Sequence, residues 1–299
     1  MNVNRREFVS WSAAAGALAA LAPATQAFSI PDPAAKAQLN LSCQEGVAPG
    51  KSLAEKLDFL EANGFVGFEP GGGGLSRRVE ELQKALQGRK IKISAICAGF
   101  DGVPISSDEA QRQKATTSIK EILTATGALG STGMIIVPAF NGAAQMPHWE
   151  AREYLVKTLL PDLGEHAHKA GTRILLEPLN RGEAHFLRQL ADAASICRDV
   201  NHPGITLMGD FWHMTQEETS DMGAFISAGK YLHHVHLASR RTRQMPGDDG
   251  AADNYVDGLR GLKAIGYQDY ISLECGSKGD RKISIPIAAK LMRDQWEQA

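Results

Sequence analysis

An α/β barrel closed from eight parallel β/α units, (β/α)8, is the fold class that this 299-residue chain predicts. Three observations carry the expectation. Short apolar runs alternate with helix-like amphipathic stretches, the rhythm of parallel strands joined by crossover helices. The runs are almost continuously apolar, as strands are in a sheet that helices cover. The length also suits one such domain of about 250 residues once an unusual N-terminus is set aside.

That N-terminus reads MNVNRREFVSWSAAAGALAALAPATQA, with paired arginines, an apolar run from Trp11 to Ala22 and small residues after it. A charged start, a short apolar stretch and a small-residue cut site describe an export signal. Arg5-Arg6-Glu7-Phe8-Val9 resembles the twin-arginine type. The run is too short and alanine-rich to make a good membrane span. Residues 1–27 are therefore read as a signal and 36–299 as one barrel domain. The mature protein is expected in the periplasm, without a stable membrane span.

The strand candidates follow in order: 38–43, 65–69, 92–97, 134–138, 173–177, 205–210, 232–237 and 270–274. Helical periodicity fills 52–62, 76–87, 108–127, 150–170, 187–199, 219–228 and 254–265. Ser52 with Glu55 three residues on matches a capping box. Gly64, Gly130, Gly171 and Gly266 stand where helices should stop. A doubly wound sheet is the alternative, but no GxGxxG follows the first strand. Gly71-Gly72-Gly73-Gly74 lacks the Lys-Ser/Thr of a phosphate-binding loop.

Composition narrows the partners. The net charge of −2 and the scattered basic residues, apart from Arg240, Arg241 and Arg243, leave no face for nucleic acid. Cys43, Cys97, Cys197 and Cys275 are far apart with no CxxC, so thiols in a large core are expected rather than disulfides.

The chemistry gathers at strand ends. In a barrel the C-terminal ends of the strands face one shared mouth. The late strands end in Glu177, Asp210, His236 and Glu274, each after an apolar run. Any one of them alone reads as an ordinary strand end bonded to loop backbone. Three shielded carboxylates together repel one another unless a cation lies between them. Three oxygen donors and one imidazole suit a single divalent ion, with Mn2+ expected and Mg2+, Co2+, Zn2+ or Fe2+ accommodated. His213, three residues past Asp210, and Glu183, six past Glu177, face the same mouth as candidates for substrate contact. Trp212 is the aromatic best placed to wall a pocket at that mouth, ahead of Phe100, Phe140 and Trp149. By strand alternation His234 shares the side of His236 and His233 faces away; both read as packing or supporting residues.

EPLNRGE, GDFWHM, HVHLASRRTRQMPG and GYQDYISLEC, in this order and spacing, resemble the xylose isomerase-like TIM barrel superfamily. The resemblance is strongest to its D-tagatose 3-epimerase and hydroxypyruvate isomerase branches. It implies that Glu177, Asp210, His236 and Glu274 bind the metal and that Glu177 and Glu274 also act as the acid/base pair. It further implies that Glu183 and His213 bind sugar hydroxyls, with Arg243 as the substrate arginine. The loop from His236 to Pro246 looks longer than in the epimerases, so Arg240 or Arg241 is an alternative to Arg243. The loops QEGVAPG and AGFDGVP match no pattern, and substrate identity is not inherited. Members often self-associate, so a homo-oligomer is among the expected states.

Such groups suit removal of a proton alpha to a carbonyl, which a cation assists by drawing negative charge onto the sugar oxygens. The expected activity is a metal-dependent sugar isomerase or epimerase. The alternatives are a lyase or hydratase acting on 3-keto-glycosides from the same first step, a phosphodiesterase like endonuclease IV, and a barrel that binds sugar without turnover. Few histidines and a net negative charge weigh against the phosphodiesterase.

Overall fold

Among the described residues the apolar runs form nine short parallel strands whose order closes a ring. The computed structural model describes residues 37–143 and 146–299. The export signal expected at 1–27 lies outside the described residues. The strands are β1 (Asn40–Gln44), β2 (Gly67–Glu69), β3 (Lys92–Ile93), β4 (Ile96–Cys97), β5 (Met134–Ile136), β6 (Ile174–Leu176), β7 (Ile205–Asp210), β8 (Leu232–Leu237) and β9 (Tyr270–Leu273). Their order is β3-β2-β1-β9-β8-β7-β6-β5-β4, with every pairing parallel.

The ninth strand is a division of one expected run. Residues 92–97 give β3 its edge on β2 and β4 its edge on β5. The join bonds both ways: Ser94 N–H donates to Phe68 O, and Ser94 O accepts from Thr132 N–H. The run thus closes the ring, and eight β/α steps remain. Gly72 is required where the tetraglycine crosses it, because a Cβ there would lie 1.9 Å from Ala98 O.

The helices are α1 (Leu53–Ala62), α2 (Val79–Leu86), α3 (Glu109–Ala128), α4 (His148–Tyr154), α5 (Leu160–Lys169), α6 (Leu190–Val200), α7 (Phe211–Glu217), α8 (Asp221–Ala228), α9 (Val256–Ala264) and α10 (Arg281–Gln298). The stretch expected as one helix over 150–170 is α4 and α5 joined by a π-turn, Leu155–Leu159. Pro161, at the start of α5, has no N–H to continue the ladder through that turn. Helices α7 and α10 were not among the expected elements. Ser52 caps α1 by accepting from Glu55 N–H at 3.2 Å, but Glu55 accepts from Lys51 N–H rather than from the cap residue. Gly64, Gly130, Gly171 and Gly266 all have φ between +64° and +76° just past helix ends, as expected. No helix among the described residues is long and apolar enough to cross a membrane.

Most of the core lies between the ring and its helices. Inside the ring, strand alternation makes two unlike sides. Ala95, Ile135, Leu175 and Met208 form a separate apolar cluster. Ser42, Ser94, His234 and Ser272 are fully buried on the other side, with Ser42 and Ser94 hydroxyls 2.7 Å apart. Two residues further along each strand, the same inward side reaches the mouth.

Candidate active site

That two-residue step brings Glu177, Asp210, His236 and Glu274 to one level. Glu177 follows Leu175, Asp210 follows Met208, His236 follows His234 and Glu274 follows Ser272, each by two. Register fixes the depth: Asp210 pairs with His236 across β7 and β8, and His236 with Ser272 across β8 and β9. Each of the four offers a ligand atom within 4.8 Å of the others. His236 Nδ1 lies 3.1 Å from Glu274 Oε2 and 3.6 Å from Glu177 Oε1.

Local bonds hold the backbone under these groups. Glu177 N–H donates to Ile136 O and Glu274 N–H to Leu237 O. Asp210 Oδ1 caps α7, accepting from Trp212 N–H at 2.8 Å. Asp210 Oδ2 is buried without a hydrogen-bond partner, as is His236 Nδ1. Two such orphan atoms among three carboxylates are costly unless a cation completes them. The donor set fits one hard or borderline divalent ion.

The charges strain against one another. Burial, then the Glu274 and Glu177 carboxylates, push Asp210 up to about 7. Burial likewise raises Glu177 above the usual carboxylate range. For Glu274 burial also pushes upward, but the His236 imidazole and the Arg243 guanidinium outweigh it and bring it down to about 2. A cation at their centre favours the ionised form of all three.

The substrate candidates line the same opening. Arg243 Nη2 donates to Glu274 Oε2 at 2.7 Å, and the Arg243 guanidinium also lies 3.5 Å from Glu183 and 3.6 Å from Asp210 Oδ2. It stands 4.5 Å over the Trp212 ring, which meets His213 edge-on. Arg240 instead pairs with Asp221, and Arg241 is exposed with its N–H on Asp249, so neither reaches the site. His213 Nδ1 accepts from Asn180 N–H, which leaves Nε2 directed at Asp210 Oδ2, 3.5 Å away. Burial, then the Arg243 charge, bring His213 down to about 3, so it is neutral.

The opposite rim is apolar. A cleft of about 230 Å3 follows β4 and β5, lined by residues such as Phe100, Val103, Val137 and Phe140. Trp149 is 66% exposed on α4 and does not line this cleft. Cys97, expected as plain core, lies with Sγ 4.0 Å from Glu274 Oε1. Cys43, Cys97, Cys197 and Cys275 are all free thiols.

Two residues were missed by sequence reasoning. Glu69 ends β2 with 1% exposure and accepts from His236 Nε2 and His234 Nε2, each at 2.8 Å. Gln44, at the end of β1, donates to Glu69 Oε1 at 2.9 Å and to Glu274 Oε1 at 3.0 Å. FVGFE carried the same signal as ILLE, an acid closing an apolar run. His234 accordingly supports His236, while His233, on the outer side, contacts Asp269 and Arg173.

Comparison with known proteins agrees with the barrel fold. The family described as xylose isomerase-like TIM barrel matches residues 57–295. The 3-dehydro-D-guloside 4-epimerase of Escherichia coli (strain K12) is 31% identical over 232 residues, covering 75% of this chain and 87% of that protein. The D-psicose 3-epimerase of Agrobacterium fabrum is 33% identical over 112 residues, 38% of each chain. The crystal structure of an E. coli 3-keto-D-glucoside 4-epimerase superposes with a TM-score of 0.78 at 26% identity, covering 86% of this chain and 100% of the other. A D-psicose 3-epimerase crystallised in the presence of D-fructose shares the fold, with a TM-score of 0.74 at 18% identity over 86% of this chain and 99% of the other. The chain belongs to the xylose isomerase-like TIM barrel family.

Proposed function

We propose that this chain is a divalent-cation-dependent sugar epimerase whose substrate is a glycoside carrying a ketone at C3, inverted at C4. The observation that carries the reading is the pairing of Glu177 and Glu274. Their strands stand three apart around the ring, with Asp210 and His236 between them, and all four converge within 4.8 Å. Similarity supports the substrate class. The alignment with the guloside 4-epimerase spans 87% of that protein, whereas the D-psicose 3-epimerase of Agrobacterium fabrum aligns over 38% of its length.

The C4–H of such a sugar is acidified by the neighbouring carbonyl. One carboxylate takes that proton from one face while the C3–C4 double bond forms and the carbonyl electrons move onto oxygen. The other carboxylate, protonated at the outset, gives its proton to the opposite face of C4 as the double bond reverts to the C3 carbonyl, so the two carboxylates end with their protonation states exchanged. One C–H bond breaks and one forms, so composition is unchanged and configuration inverts. Glu177, Asp210, His236 and Glu274 would hold a divalent cation, which would supply Lewis-acid charge to stabilise the negative charge that develops on the sugar. Arg243, Glu183 and His213 bind sugar hydroxyls, and Trp212 offers a flat apolar face to the ring. Each acid/base role contributes on the order of 10²–10⁴-fold. Export by the twin-arginine route belongs to the same proposal, resting on the leader, and cell fractionation tests it.

The test is proton exchange in deuterated water with protein purified without chelator, followed by nuclear magnetic resonance on a 3-keto-glucoside. Deuterium should enter at C4 as the C4 epimer forms. Both should collapse in Glu274→Gln with much of the cation retained. Undiminished exchange in that variant removes the acid/base role. Release of the aglycone with an ultraviolet-absorbing eneketone makes the enzyme a lyase instead, and exchange confined to free ketoses at C3 makes it a ketose epimerase.

A further inference from the structure

We propose that Glu69 is a positioning residue that fixes His236 in the orientation and tautomer able to meet a cation, with His234 and Gln44 as its supports. The inference rests on the metal-dependent reading above. Glu69 offers no atom to the cluster of Glu177, Asp210, His236 and Glu274. It lies one layer beneath, fully buried. Oε1 receives His236 Nε2 at 2.8 Å and Gln44 Nε2 at 2.9 Å, and Oε2 receives His234 Nε2 at 2.8 Å. An ionised carboxylate only accepts, so the three nitrogens that meet it are all donors. His236 therefore carries a proton on Nε2, so that Nδ1, 3.1 Å from Glu274 Oε2 and 3.6 Å from Glu177 Oε1, is the nitrogen that would give its lone pair to a cation. Rotation of the ring would turn Nε2 away from its acceptor and bury an unpaired N–H.

Gln44 extends the bracket. Its single amide nitrogen bridges Glu69 Oε1 and Glu274 Oε1, so the imidazole and one of the two acid/base carboxylates are held from a common point. The bonds reach across the ring from β1 and β2 to β8 and beyond β9. Glu69, His234 and His236 also lie close enough to one another to hold an ion of their own. The bracket and a second cation make different predictions about stoichiometry.

Wild-type protein, Glu69→Gln and Gln44→Met are titrated with MnCl2 by calorimetry, and bound Mn2+ is read by electron paramagnetic resonance. Histidine tautomers are read by 15N resonances in the Mg2+-loaded proteins. Glutamine keeps the size of Glu69 but supplies one acceptor oxygen for three donors. Wild type should bind one equivalent with His236 protonated at Nε2. Glu69→Gln should bind roughly 10–100-fold more weakly, the usual cost of losing a partner behind a metal-bound histidine, with a broadened Mn2+ spectrum and a changed His236 signature. Gln44→Met should show a smaller loss, and it carries the test if Glu69→Gln does not fold. Equal affinity and an unchanged tautomer in both folded variants would overturn the bracket. Two equivalents bound by wild type would overturn it in favour of a second ion. Wild-type protein that binds no Mn2+ would remove the metal reading itself, an outcome seen before any variant is compared.

Discussion

The mouth of the barrel has two unlike rims. From β6 round to β9 every strand ends at or within one residue of a charged or titratable group, buried at Glu177, Asp210 and His236 and partly exposed at Glu274, and the loops behind bring Arg243, His213 and Glu183 over them. At β4 and β5 the strands end in Cys97 and Ile136, and the loops beyond form an apolar cleft. The same contrast runs down inside the ring, from His234 and the serines on one side to Ile135, Leu175 and Met208 on the other. On our reading the polar rim holds the reacting atoms and the apolar rim selects what is attached to them. Substitutions on the polar rim should then act on turnover and metal, and those on the apolar rim on substrate affinity.

The largest effect is expected at Glu177. Glu177→Gln should lower kcat by roughly 10²–10⁴-fold, measured as C4 deuterium uptake, with a melting temperature near wild type. A loss confined to KM would break the division between the rims. Next comes the cation. A ligand at one hundred times its dissociation constant stabilises the folded state by about 2.7 kcal/mol. Wild-type protein stripped by chelator should therefore gain several degrees in melting temperature on adding Mn2+, and Asp210→Asn should lose most of that gain. Phe140→Ala on the opposite rim should keep the gain in full. It should instead raise KM about tenfold for a 3-keto-glycoside with an apolar aglycone and leave kcat alone, because removing part of a hydrophobic contact costs about that much. An unchanged KM would separate the cleft from the substrate.

The two rims were also unequally legible in the sequence. On the late strands the signal was local: a short, largely apolar run closing on Glu, Asp or His, four times in strand order. Glu69 ended its run in the same way, yet its partner His236 is 167 residues away and no local spacing joins them. Gln44 and Glu274, 230 residues apart, are joined only when β1 pairs with β9. Helix α7 was hidden because Asp210 serves both as a strand end and as a helix cap, so GDFWHM reads as a loop. Arg243 is preferred over Arg240 and Arg241 only through the family resemblance, since the turn that carries it to the site, with a φ of +54° at Arg243, leaves no local mark in the sequence. The division of 92–97 into two strands follows from curvature and pairing on both edges, and neither leaves a mark in composition.

The smallest effect concerns that turn. Asp249 Oδ2 accepts from the N–H groups of Arg241 and Thr242, and Oδ1 from the Thr242 hydroxyl, which fastens the chain just before Arg243. Partial burial pushes its carboxyl upward, but these donors outweigh it and bring it down to about 2 from an ordinary value of 3.8. A depressed carboxylate stabilises the folded form fully above its unfolded pKa and loses that contribution as pH falls through its folded one. The Asp249 contribution should therefore be complete above about pH 4 and fade as pH falls toward about 2. Asp249→Asn should be less stable than wild type in denaturant at neutral pH, with the difference shrinking across that acid window. If Asp249 also holds Arg243 over Trp212, the variant should raise KM modestly at neutral pH while Mn2+ affinity stays unchanged. A constant stability gap from pH 5 to pH 2 would mean that the turn is held by its shape rather than by this charge.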